Sequence, residues 1–268
     1  MDATKVRLES STHWYARDGS PVYQVTGKNG QLRDTTLRDA KARGDLVPGV
    51  TGIIKCQDRP ALTSYLIEQH MLACLTLPRR DGESERDWMY RVKEDAKEHA
   101  RKAAEEGTRI HDAIQAHFEG TAPPGDYWPH VKATVAAIHE HCGNHAWIPE
   151  RSFAHPMGYA GRCDLSTDNM GANWVLDFKG KDFAPEEAGS LKAWDDHAQQ
   201  LGAYRHGLGL HGARCAIVYV SRNHPGAVAF CEVDEDNLQR GFDMFQALLA
   251  YWKAKNRYDP SFYDKDAA

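Results

Sequence analysis

The stretch WVLDFKGKDF, residues 174–183, decides how this chain is read. Side chains of a strand alternate between its two faces, so residues i and i+2 share one. Val175, Asp177 and Lys179 therefore project together, and Leu176 and Phe178 fill the opposite face. An acid and a base stand where a buried strand would carry apolar side chains. Upstream, GYAGRCDL (158–165) has strand character and ends near Asp164, and STDNMGAN (166–173) is rich in turn formers. The two segments read as an antiparallel hairpin across which Asp164 approaches Asp177. Carboxylates that close repel unless a cation lies between them, and oxygen ligands with open water positions suit Mg2+ or Mn2+. A lysine beside them can orient a water molecule or steady charge on a phosphoryl oxygen. Those groups fit hydrolysis of a phosphodiester. Alone, an Asp-x-Lys equally describes an ion pair on a solvated strand face, with Asp164 a turn residue.

Working outward, WIPERSFAHP (147–156) and CAIVYVSRN (215–223) are further strands. Apolar spacing predicts helices over 60–75, with Pro60 at its start, over 88–119 with a break near Gly107, and over 128–142. Two more are expected at roughly 187–209 and 235–255. HWYARDGSPVYQVTG (13–27) reads as a hairpin turning at DGSP, QLRDTTLRDAKARGD (31–45) as a short helix, and VPGVTGIIK (47–55) as a turn leading into a strand or helix. This order predicts an α/β fold: a mixed central sheet flanked by helices, behind a helical N-terminal part.

Composition narrows the class. An apolar content of 41% with 26% charged residues is that of a folded, water-soluble chain, and no apolar run is long enough to span a bilayer. The N-terminal MDATKVRLESSTHWYARDGS lacks the apolar centre of a signal peptide, so secretion is not expected. Six scattered cysteines without a CxxC pair argue against a zinc ribbon, a redox motif and a dense disulfide framework, and fit the reduced thiols of a cytoplasm. The net charge of −5 gives no bulk attraction for nucleic acid, which leaves recognition to local patches and bound cations.

GRCDL (161–165) followed by VLDFKGKD (175–182) resembles the signature of the PD-(D/E)XK nuclease superfamily, in its RecB-like exonuclease branch of phage and mitochondrial type. EEGTRIHDAI (105–114) resembles that branch's Gly-x-x-x-His helix motif, and QQLGAY (199–204) its Gln-x-x-x-Tyr motif. PGVTGIIK (48–55) with RPALTSYL (59–66) resembles its N-terminal segment, so the likeness spans roughly residues 47–222. It implies a restriction-endonuclease-like α/β core within one domain: 1–86 a β/helical N-terminal part, 87–233 the nuclease core, 234–268 a C-terminal helix and tail. The implied activity is that of a metal-dependent DNA exonuclease leaving 5′-phosphates, serving phage or cellular replication, recombination or repair. Its place would be the cytoplasm of a bacterium or a phage-infected host. A structure-specific endonuclease for flaps or branches, or a catalytically idle protein that binds DNA ends, are the alternatives. DNA ends, single- or double-stranded, are the expected partner, with a single-strand-binding or annealing protein beside them and no membrane.

Residue by residue, the resemblance implies that His111, Asp164, Asp177 and the Phe178 backbone carbonyl hold Mg2+ or Mn2+. A nitrogen ligand makes Mn2+ at least as suitable. Glu150 matches an acidic position that reaches the metal, and reads equally as an exposed edge-strand glutamate. Lys179 acts with Asp164 and Asp177 in catalysis, while Gln200 and Tyr204, four apart on one helix face, position the DNA end. Arg162 shares a strand face with Asp164, Lys181 flanks the motif and Arg109 adjoins the histidine turn; these three are candidate phosphate contacts. Cys56 and Cys74 precede the core, while Cys215 and Cys231 follow it without the spacing of a C-terminal cluster, so no iron–sulfur cluster is expected. Trp14, Tyr15, Tyr23 and Tyr65 offer ring faces either to unpaired bases or to the core.

Overall fold

Residues 215–220 are apolar at every position, which suits a strand covered on both faces. The structure, a computed structural model describing residues 13–167 and 173–263, puts them inside the main sheet with a strand on either side. In chain order the elements are β1 (Trp14–Tyr15), β2 (Gln24–Thr26), β3 (Leu32–Asp34), α1 (Leu37–Arg43), β4 (Val47–Pro48), α2 (Val50–Ile54), α3 (Pro60–Thr76), α4 (Glu85–Phe118) and α5 (Trp128–Cys142). There follow β5 (Trp147–His155), β6 (Tyr159–Thr167), β7 (Trp174–Lys181), α6 (Asp195–Gly207), β8 (Arg214–Ser221), β9 (Val228–Val233) and α7 (Glu235–Asn256).

The main sheet has the order β5-β6-β7-β8-β9. It is antiparallel except for the parallel pair β7–β8, whose crossover is supplied by α6. On one face Val175, Ile217 and Tyr219 join Leu201 of α6 and Leu238, Phe242 and Phe245 of α7. On the other, Leu176, Phe178, Ala216 and Val218 join Ile110 and Ile114 of α4 and Val131 and Ile138 of α5. Helices thus cover both faces, as the mixed α/β reading expects. The alternation read from residues 174–183 also holds: Val175 and Leu176 belong to opposite cores.

Several local expectations change. Helix α4 runs unbroken through Gly107. An interior glycine costs about 1 kcal/mol relative to alanine, and the helix sets against it a row of i,i+3 and i,i+4 ion pairs joining Arg101 to Glu98 and Glu105, and Lys97 to Glu94. Its start moves back to Glu85, where the Ser84 side chain accepts the Asp87 N–H at 3.1 Å. The chain does turn at DGSP, with Tyr15 bridging Pro21, but β1 pairs with β4. Strand β2 pairs with β3 in a second hairpin, so LRD (32–34) is strand and the short helix is only Leu37–Arg43. The segment after Gly49 is a helix start, and α6 begins at Asp195 behind a 3-10 turn, Pro185–Ser190. Strand β9 escapes sequence reading because Cys231 and Glu232 interrupt its apolar alternation at a half-covered sheet edge. Most of the turn expected within 166–173 lies outside the described residues, as do residues 1–12.

Helix α3 is apolar on all sides. Ala73 packs on Val92 and Ala96 of α4, while Ile67, Met71, Leu72 and Leu75 face outward. A carbon-lined concavity of about 590 Å3 runs along Thr63–Leu75, and none of the carboxylates discussed below borders it. Among the described residues no helix is long and apolar enough to cross a membrane.

Candidate active site

The site forms where two strands stop pairing. Strands β6 and β7 are joined at Leu165–Leu176 and Ser166–Val175, and the next facing position would set Asp164 against Asp177. Like charges directly opposed in a ladder are destabilising. The ladder opens there instead, and Asp164 Oδ2 accepts the Phe178 N–H at 2.7 Å. A strand residue's N–H and C=O leave the backbone on the same side, so the Phe178 carbonyl belongs to the same edge. The opening is the floor of a cleft of about 480 Å3, which Asp164, Asp177, Lys179, His111, Glu150 and Gln200 all line.

Glu150 faces Asp164 from β5: Pro149 pairs with Leu165 and Arg151 with Cys163, which leaves the two acids opposite one another. Its φ of 52° lies in the left-handed region, a costly conformation for a non-glycine residue inside a strand. Glu150 Oε2 lies 2.5 Å from Arg162 Nε, while its buried Oε1 accepts no hydrogen bond. His111 reaches in from α4, with Nε2 3.3 Å from Asp164 Oδ1 and 3.6 Å from Glu150 Oε1. One ligand atom from each of His111, Glu150 and Asp164 falls within 4.8 Å of the others. A nitrogen and two carboxylate oxygens, one without a partner, fit a small divalent cation.

Two close approaches bring these elements together. A Cβ on Gly180 would sit 3.0 Å from the Gly107 Cα, so the glycine at 180 lets α4 lie this close to β7. A Cβ on Gly107 itself would meet nothing, so the approach depends on Gly180 and not on the helix glycine. A Cβ on Gly161 would come 2.7 Å from the Tyr204 ring, so that glycine makes room for the tyrosine.

Asp177 is buried, with a polar neighbour at each carboxylate oxygen. Oδ1 accepts from Gln200 Nε2 at 2.7 Å, and Oδ2 has the Lys179 ammonium at 2.7 Å, a charge contact off hydrogen-bond alignment. Gln200 also accepts from Lys179 Nζ at 3.2 Å and donates to the Tyr204 hydroxyl at 2.9 Å. One side chain of α6 thus fixes acid, lysine and tyrosine together.

Charges inside the cleft shift one another. Burial pushes the Asp177 carboxyl up to about 6; Lys179 opposes this and the charge of Asp164 adds to it. Burial also disfavours the charge of Asp164, yet His111, Lys179 and the Phe178 N–H hold it below the usual range. Burial disfavours the His111 imidazolium, but Asp164, Asp112 and Glu150 prevail and raise it to about 10. Burial likewise disfavours the Lys179 ammonium, but Asp177 and Asp164 keep it above the ordinary lysine value and therefore charged. Glu150 is pushed up by burial against the pull of Arg162.

The structure thus collects His111, Glu150, Asp164, Asp177, Phe178, Lys179, Gln200, Tyr204 and Arg162 around one cleft. Arg109 and Lys181 do not line it: Arg109 is exposed and paired with Glu106, and the Lys181 ammonium lies 5.6 Å from the Tyr219 ring centre. Residues not singled out from sequence also border the cleft, notably Thr51, Arg101, Thr108 and His13. Arg101 and Thr108 stand at helical spacing from His111, a signal legible once that histidine is chosen. His13 arrives through the β1–β4 pairing, which no local pattern announces.

No protein-family model matches the chain, and neither does any curated protein. Among solved structures it is similar to a candidate exonuclease from Eubacterium rectale, at TM-score 0.39 and 10% identity over 57% of this chain and 68% of that one. It is also similar to an alkaline exonuclease from Laribacter hongkongensis, at TM-score 0.35 and 16% identity over 56% of this chain and 81% of that one. Likeness at this level carries no argument about fold or activity, and the chemistry rests on the geometry of the cleft.

Proposed function

We propose that the chain is a metal-dependent DNA nuclease of the PD-(D/E)XK type, in its RecB-like branch, acting from DNA ends as an exonuclease and leaving 5′-phosphates. The observation that carries this reading is the convergence of Asp164, Asp177 and Lys179 with His111 and Glu150 where β6 and β7 part. His111, Glu150 and Asp164, with Asp177 and the Phe178 carbonyl beside them, would hold Mg2+ or Mn2+. Such a cation supplies positive charge to the phosphate oxygens and lowers the pKa of water.

The remaining work falls to the protein's own groups. Lys179, whose charge Asp177 and Asp164 favour, donates from Nζ to the attacking water or to a non-bridging phosphate oxygen. Gln200 sets its aim from α6, and Asp177 holds its charge in place. Tyr204, whose hydroxyl is kept protonated by burial, anchors Gln200 from the next turn. Arg162 is placed to meet the neighbouring phosphate, since guanidinium groups pair with phosphate oxygens as readily as with carboxylates.

The test is digestion of end-labelled single- and double-stranded DNA with Mg2+ or Mn2+ by the wild type and by Lys179→Met. Wild-type cleavage that the variant loses, and that EDTA abolishes, is expected. A variant that cuts like the wild type refutes the assignment. Circular single-stranded DNA left whole marks an exonuclease; its cleavage would favour the endonuclease alternative.

A further inference from the structure

One wall of the cleft is aromatic, and neither cation binding nor phosphate chemistry accounts for it. His13 stacks on Tyr23 with ring centres 4.4 Å apart and planes at 27°. The Arg162 guanidinium carbon lies 5.8 Å from the Tyr23 ring centre, and Nε of that guanidinium lies 2.5 Å from Glu150. Tyr15, buried beneath, meets the Tyr23 ring edge-on at 5.6 Å and shares a 3.0 Å hydroxyl contact with it. Tyr15, Tyr23, His13 and Arg162 all line the cleft that holds the acids.

We propose that this stack is a base-binding platform. Tyr23, with His13 and Arg162, takes the unpaired nucleobase next to the phosphate held at the acids, and so selects single-stranded ends. The proposal rests on the hydrolase reading and adds its substrate class. Every base has a π-face, so stacking on aromatic rings and guanidinium planes holds single strands without reading their sequence. The same guanidinium touches the tyrosine ring and the acid Glu150, so platform and acids are one side chain apart. That separation suits a base and its own phosphate. A cleft of about 480 Å3 is of small-ligand size, enough for a nucleotide at the acids. Bases inside a duplex keep both faces on their neighbours and cannot use the platform without leaving the stack. Tyr15 holds Tyr23 from below, so its ring is oriented before substrate arrives.

The test crosses protein with substrate. Single-stranded oligonucleotides carry either normal or abasic residues at both ends, and kcat/KM is measured for the wild type, Tyr23→Leu and Tyr23→Phe. The wild type should lose about 5- to 150-fold from normal to abasic ends, the range expected for one stacked base. Tyr23→Leu should already show that loss on normal ends and lose little more on abasic ones. Tyr23→Phe, which keeps the ring, should behave as the wild type. An equal effect of Tyr23→Leu on both substrates means the ring only packs, and overturns the proposal. A binding readout separates this from the hydrolase reading: 2-aminopurine at the oligonucleotide ends, measured in EDTA, should be quenched by the wild type and Tyr23→Phe but not by Tyr23→Leu. Absence of wild-type quenching refutes the platform, whereas quenching without cleavage in Mg2+ or Mn2+ refutes only the hydrolase. Should Tyr23→Leu fail to fold, His13→Ala carries the same contrasts.

Discussion

Lys179 and Asp177 form a pair whose energetics can be separated from catalysis. The Asp177 side chain is 2% exposed and that of Lys179 33%, with 2.7 Å between charged atoms. At an effective dielectric of ~20 such a pair attracts by about 6 kcal/mol, and solvent at the lysine end screens part of it. Removing one partner of a buried pair costs about 3–5 kcal/mol if the remaining charge has no escape. Asp177 has one. Burial already raises its carboxyl to about 6, and without Lys179 it rises further and holds a proton at neutral pH. The unfolded carboxyl, near 3.9, has released its proton there. The folded state of Lys179→Met then binds more protons than the unfolded state, so stability falls as pH rises, by up to about 1.4 kcal/mol per pH unit. In the wild type this group's window closes near pH 6; in the variant it extends above. Urea denaturation in EDTA at pH 6, 7 and 8 should therefore show Lys179→Met losing progressively more stability than the wild type. Adding Asp177→Asn should remove that slope and recover about 2–4 kcal/mol at pH 8. A destabilisation that is the same at pH 6 and 8, with additive single and double substitutions, would refute the pairing.

Two further outcomes follow from the same geometry. Gly161→Ala should cost about 1–3 kcal/mol, since its Cβ would press on the Tyr204 and Phe153 rings at 2.7 and 3.0 Å; thermal melts and kinetics run together should show kcat falling at temperatures where the variant is fully folded. Burial holds the His197 imidazole neutral, lowered to about 4, with Nδ1 accepting the Trp194 N–H at 3.1 Å; the unfolded histidine gains its proton near 6.5, so stability should be lost as pH falls from about 6.5 to 4, by up to about 3 kcal/mol, and His197→Gln should flatten that limb in urea titrations.

Much of the site was legible because it is written at fixed spacings. Residues 164, 177 and 179 are tied by strand alternation and hairpin register, and 200 and 204 by one helical turn, so local geometry suffices to bring each set together. The β6–β7 pairing then matches what the sequence implies. Other features depend on partners far along the chain. Exposed Arg109 stands two residues before His111, yet its side chain leaves the cleft for Glu106. The role of Gly180 appears only once α4 lies across it, because a glycine in a strand does not say which backbone approaches. The β1–β4 pairing that delivers His13 joins residues more than thirty positions apart through strands of two residues each, too short for any period to register. The strained backbone at Glu150 is likewise invisible in the letters PER.

Asp164 has two duties that a pair of substitutions can divide. Its Oδ2 satisfies the Phe178 N–H at 2.7 Å, an amide the opened ladder leaves without a strand partner, and its charge faces His111 and the proposed cation site. Asparagine keeps an oxygen acceptor for that amide and discards the charge; alanine discards both. An unsatisfied buried N–H costs about 1–3 kcal/mol, so Asp164→Ala should fall below Asp164→Asn in stability by about that much. The difference should be local. Hydrogen exchange at the Phe178 amide should stay near the wild-type rate in Asp164→Asn and quicken roughly tenfold or more in Asp164→Ala, since about 1.4 kcal/mol is a factor of ten. Cleavage should be lost in both, because neither side chain supplies a carboxylate to the proposed cation or a counter-charge to His111. If the two variants share one exchange rate at Phe178, the carboxylate does not hold the gap between β6 and β7. The splay of the strands would then need another cause, and the cleft would no longer follow from the acids that line it.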